Sequence, residues 1–86
     1  MEKINITEKF LQVKEYWHPH IIGELNGQHV KAGKQLGEFV WHFHENEDEL
    51  FLVVEGQLKT ILFEPAGTLN TGNVKNELTK ETLNKI

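Results

Sequence analysis

The chain has 86 residues, 38% of them hydrophobic, with a net charge of -4 and no cysteine. At this length it forms one domain, residues 1–86, and buries only about 60–65% of the surface its unfolded form exposes, so its core is marginal unless a metal or a partner subunit supplements it. The missing cysteines exclude disulfides, thiolate metal sites and thiol chemistry together. Interspersed charges argue against a nucleic-acid-binding face. No apolar run approaches the ~20 residues of a membrane span, and "MEKINITEKF" lacks the apolar core of a signal peptide, so a soluble cytoplasmic protein is expected.

In chain order, Thr7 to about Val13 places Phe10, Leu11 and Val13 on the face of a short amphipathic helix with Thr7 as its N-cap. "WHPH", Trp17 to His20, holds a proline that pushes His18 towards extended backbone, which reads as a loop entering a strand. Asn26-Gly27 then supplies the two positive φ values of a type I′ turn, predicting a hairpin of Ile21 to Leu25 with Gln28 to Ala32. Gly33 and Gly37 bracket a further turn. "EFVWHFH", "ELFLVVEG" and "LKTILFEP" read as three more strands, rich in aromatic and β-branched residues. After Pro65 the pattern becomes turn chemistry, and "LTKETLNKI" reads as a short helix capped at Thr79. The expected architecture is mainly all-β with short helices at both ends.

The segment "WHFHENEDELFLVVEG", Trp41 to Gly56, concentrates the chemistry. On a strand, alternate side chains share a face, so His42 and His44 lie on one side, about 7 Å apart, and can converge on a single metal ion. The following strand brings a carboxylate beside them, with Glu49 on the face of Phe51 and Val53 and Asp48 on the face of Leu50 and Leu52. Imidazole with carboxylate suits zinc, iron, manganese, nickel or copper. The plainer reading is a half-exposed strand pair joined by a solvated acidic turn. His18 and His20 read as exposed loop residues and His29 as a strand-surface residue, each a substitute ligand at most.

Gly37, His42, His44, Glu49 and Gly56 together spell G-x4-H-x-H-x4-E-x6-G, which resembles the first signature motif of the cupin superfamily. The family pattern usually has one more residue between the glycine and the first histidine. "EFVWHFHENEDELFLVVEG", with "MEKINITEKF" and "FEPAGTLNTGN", looks like the small single-domain cupins, some of them labelled mannose-6-phosphate isomerase-like. The resemblance implies a β-barrel or jelly roll, with a divalent metal (Zn, Mn, Fe or Ni) on His42, His44 and Glu49 and a further histidine from a second motif. That second motif, P-x-G-x-x-H, is absent: all five histidines precede Gly56. "EGQLKT" runs straight into "ILFEPAGTLNTGN", as if an internal segment near Lys59 to Ile61 were deleted. An incomplete sandwich leaves Phe39, Trp41, Phe43, Leu50, Leu52 and Val54 without cover, which predicts a homodimer that completes the fold.

Two functions follow as expectations. One is a minimal cupin with a degenerate metal and small-molecule site. The other is a metal-dependent sugar-phosphate isomerase in which Asp48 or Glu47 serves as base. Phosphate recognition favours arginine, lysine or backbone amides, and the chain has no arginine.

Overall fold

The computed structural model describes residues 3–36, 44–56, 59–74 and 79–86. Among these, the chain runs α1 (Ile6–Gln12), β1 (His20–Leu25), β2 (Gln28–Lys34), β3 (Leu50–Glu55) and β4 (Lys59–Pro65). The four strands form one antiparallel sheet in the order β1-β2-β4-β3. The mainly β expectation holds at this level. The strand expected over 38–44 falls largely on residues 37–43, outside the described set.

The β1-β2 hairpin forms where the sequence places it, because Asn26 and Gly27 adopt φ values of 49° and 79° and so satisfy a turn whose twist matches the flanking strands. Strand β2 continues to Lys34, past the turn expected at Gly33. Gly33 stays in the ladder opposite Thr60, so pairing with β4 overrides the local glycine signal.

The N-cap of helix α1 lies two residues earlier than expected. Asn5, not Thr7, is the N-cap, and its side chain accepts from the Glu8 N–H at 3.1 Å. Asparagine caps at least as well as threonine, and a start at Ile6 gives a seven-residue helix that still presents Phe10 to the sheet. The expected C-terminal helix does not form. Residues 79–86 bend at Glu81 and Thr82, and residues 84–86 run beside β1, where the Ile21 N–H donates to Asn84 O and the Ile86 N–H to Ile21 O, both at 2.9 Å. A nine-residue helix is too short to nucleate on propensity alone, and the open edge of β1 offers its backbone better-placed partners.

Pleating divides the sheet into two unlike faces. One face packs Ile22, Ala32 and Ile61 against Phe10 and Val13 of the helical segment, with Val30, Phe63 and Ile86 at the margin. The opposite face carries Lys31 across from Leu62, with Glu64 diagonal to it and Phe51 beyond Leu62 on β3. The 66–74 segment folds over this second face, burying Thr68 and Thr71. Among the described residues no helix is long and apolar enough to cross a membrane.

Strand β3 is the exception to this burial: Leu50 to Val54 are all exposed, with Leu50 at 60% and Val54 at 43%. The core is therefore thin, and it depends on the hairpin that carries Ile22 and Ala32. A Gly27→Ala change meets no atom within 4 Å, so its cost is that of the positive φ alone. It is expected to lower stability by about 1 kcal/mol, read as a shift in urea midpoint at constant m.

Candidate functional site

The polar face owes its chemistry to Lys31, a charged residue at an inward position of a central strand. Its Nζ lies 2.6 Å from Glu64 Oε1 and donates to the Thr68 carbonyl at 3.3 Å, and both side chains of the ion pair are almost fully buried. A buried pair of this kind is tolerated only when further hydrogen bonds satisfy it, which the Thr68 carbonyl does for the ammonium. The Thr68 turn is itself tied down, since its hydroxyl donates to Pro65 O at 2.7 Å.

Glu49 enters beside this pair from the residue before β3. It hydrogen-bonds Glu64, and burial is the main cause that pushes its carboxyl up to about 7; the Glu64 charge and that hydrogen bond add to the rise, while Lys31 opposes it. The proton is held on Glu49 because ionising it would place a charge out of water and against the Glu64 carboxylate.

The His44 Nε2 and Glu49 Oε1 are in direct contact, and each side chain is 12% exposed. Two of the three expected ligands are thus brought together. His42 lies outside the described residues, so the expected set of three cannot be drawn as a whole. Among the described residues, no group of three or more His, Asp or Glu side chains stands ready to hold a metal.

A cleft of about 100 Å³ opens over this face, lined by Trp17, His18, Gln35, Glu49, Phe51 and Asn70 among others. Trp17 is held at its edge in an unusual backbone conformation, φ 59°, with its N–H donating to Lys34 O at 2.8 Å and its indole N–H to Leu36 O at 3.0 Å. Two backbone carbonyls therefore fix a left-handed tryptophan, a strained state that persists only where the surroundings impose it. Asn70 is anchored by accepting from the Lys80 N–H at 2.8 Å. His44 faces a second, more polar cleft with Glu45, Asn46, Glu47, Leu69 and Gly72. The His44-Glu49 contact stands between the two.

Two of the remaining histidines depart from expectation, while His29 lies on a strand as expected. His18 and His20 are not exposed loop residues: they are half-buried and stack with ring centroids 4.8 Å apart. Among the described residues, His20 Nδ1 is buried without a hydrogen-bond partner, and burial followed by the neighbouring His18 charge lowers its pKa, against a smaller upward pull from Glu15. His29 lies on β2, half-buried, 3.4 Å from Glu24. Of the suggested bases, Asp48 is exposed and Glu47 half-buried. Sequence reasoning missed Lys31, Glu64 and Trp17; a lysine at an inward-facing strand position was the available signal for the first.

The chemistry of these donors can be stated simply. Imidazole and carboxylate in contact form part of a nitrogen-oxygen metal cradle, and a carboxyl titrating near neutrality can give or take a proton. No protein-family model and no solved structure matches the chain. Among curated proteins, 47 residues, 55% of this chain, are 43% identical to a stretch of the Bacillus subtilis (strain 168) protein named "Uncharacterized protein YdbB". The match covers 42% of that relative, so the chain spans less than half of its length.

The Glu49 carboxyl has a definite linkage sign. Its ordinary value is 4.5 and its folded value about 7, so the fold binds this proton more tightly than the unfolded chain does. Its contribution is most favourable below 4.5 and is lost as pH rises through 7. Glu49→Gln removes the titration while keeping hydrogen-bonding capacity. In metal-free buffer, the variant is expected to gain about 1–3 kcal/mol over the parent between acid and alkaline pH, measured by urea unfolding at both ends.

Proposed function

We propose that this chain is a reduced cupin-type domain: a jelly roll shortened to a sheet and its polar face, acting as a small-molecule-binding module with a partial metal cradle. The observation that carries this reading is the contact between His44 and Glu49, two residues of the G-x4-H-x-H-x4-E-x6-G pattern, at the rim of a cleft with a buried polar floor. His44 and Glu49, with His42 as third donor, would hold a divalent ion such as Zn, Mn, Fe or Ni. Bound there, such an ion supplies Lewis-acid polarisation of a ligand oxygen. Residues 57–86 contain no histidine, so they do not supply the fourth ligand that the resemblance implies, and three ligands alone are expected to hold the ion weakly.

The chain's own residues set the cleft's selectivity. Lys31 is already matched by Glu64, so among the described residues lining or flooring the cleft its charge is not available to a phosphate. Trp17 and Phe51 provide apolar walls, and Gln35 and Asn70 provide amides. This favours a small, weakly charged ligand over a sugar phosphate.

A metal-dependent sugar-phosphate isomerase with Asp48 or Glu47 as base is the second reading, and the half-buried Glu47, which lines the more polar cleft together with His44, favours it. The missing arginine weighs against it.

Metal titration by calorimetry, with native mass spectrometry of the same sample, separates the two. The binding-module reading expects little metal retained after purification, one added Zn²⁺ or Ni²⁺ per chain bound weakly, and at least ~10-fold weaker binding in His44→Ala. Binding indifferent to His44→Ala, or no binding at millimolar metal, overturns the cradle. Stoichiometric retained metal with turnover of a sugar phosphate selects the isomerase.

A further inference from the structure

The two edges of the sheet are treated unequally. Strand β1 is covered on its outer side by the tail, through the Ile21, Asn84 and Ile86 backbone bonds. Strand β3 is the other edge, and among the described residues its outer side pairs with no strand. Edge strands are normally guarded by a lysine, a proline or an inward charge, yet Leu50-Phe51-Leu52-Val53-Val54 carries none of these. All five side chains are between 43% and 60% exposed, on both faces of the strand.

We propose that β3 is a self-association edge: the β3 of a second copy pairs antiparallel with it about a two-fold axis at Leu52, joining the two sheets into one. The occupant is a second copy because the strand is complementary to itself in one register. With Leu52 opposite itself, Phe51 meets Val53 on one face of the sheet and Leu50 comes beside Val54, where the strand bulges, so the apolar run faces an apolar run. Moving the axis by one residue in either direction sets Glu49 against Val53, or Phe51 against Glu55.

Charge does not oppose this register. It brings Glu49 near the partner's Glu55, but the Glu49 side chain is engaged by His44 and Glu55 is held 3.0 Å from Lys59. The bulge between Val53 and Glu55 falls on Val54, so the regular β3-β4 ladder ends at Val53 and regular pairing with a second copy is centred on Phe51-Leu52-Val53. At these exposures the strip presents on the order of 400–500 Å² per protomer; edge pairing covers part of it, so the interface is a small one in which main-chain hydrogen bonds carry much of the association. A micromolar dimer is the scale this implies.

Association also reaches the cleft. Phe51 lines it, and the two-fold places the partner's Val53 opposite Phe51 on that same face, so the partner extends the cleft wall. The inference rests on sheet topology alone and does not require the metal reading.

Sedimentation velocity of the full chain over about 1–300 µM tests it, with Leu52→Lys, Leu52→Thr and Leu11→Lys beside the parent. Leu52 is half-exposed, and circular dichroism checks that each variant keeps its strand signal. The parent is expected to shift from monomer to dimer across that range. Leu52→Lys, which sets two ammonium groups against each other at the axis, should weaken association at least ~10-fold, and Leu52→Thr by less, while Leu11→Lys on exposed α1 leaves it unchanged. A parent that stays monomeric throughout overturns the proposal, as does a dimer insensitive to both Leu52 variants.

Discussion

The buried ion pair between Lys31 and Glu64 is the constraint on which the rest of the polar face depends. It links the two central strands diagonally, and its ammonium reaches on to Thr68, so the strand pairing, the 66–74 cover and the cleft floor share one set of contacts. Removing two charges from water is costly, and the Coulomb gain offsets that only while both partners are present. The pair also bears on Glu49: burial is the main cause that keeps a proton on its carboxyl up to about 7, the Glu64 charge and hydrogen bond add to the rise, and Lys31 opposes it.

Against that polar face stands a small apolar one. Phe10, Val13, Ile22, Ala32 and Ile61 form the buried cluster, and the helix that supplies Phe10 is only seven residues long. Isolated, such a helix would not persist in water; it is held by its Asn5 cap and by what it covers. Lys9 ties it further to the tail, donating to Ile86 O at 2.6 Å. Helix, tail and hairpin consequently stabilise one another, and no one of them has a core of its own.

What was legible in the sequence were features whose cause is local. Asn26-Gly27 announces its turn because two positive φ values are a property of those residues, and Glu49 falls beside His44 because a short acidic turn returns the chain to the same site. Long-range causes left weaker traces. The register that sets Lys31 opposite Leu62, and so within reach of Glu64, joins residues about thirty positions apart, and nothing in "QHVKAG" states it. The tail misleads for a related reason: "LTKETLNKI" has helical propensity but no apolar face large enough to reward a helix, whereas Ile21 offers backbone partners that only the folded sheet reveals. The capping error is smaller, a choice between two good caps that helix packing decides.

Strand β3 is where these threads meet. Glu49 immediately precedes it, Phe51 forms a cleft wall on one face, and Leu50 and Leu52 lie exposed on the other. A strand paired on one side only is the part of a sheet that opens at least cost, so anything that orders β3 also orders Glu49 and the wall beside it. Under the proposed reading, a cation held by His44 and Glu49 would favour the ionised carboxylate and displace its proton, removing the unfavourable contribution that burial imposes above pH 7. Binding and strand order would then be linked through Glu49, and by reciprocity whatever fixes the strand edge would strengthen that binding.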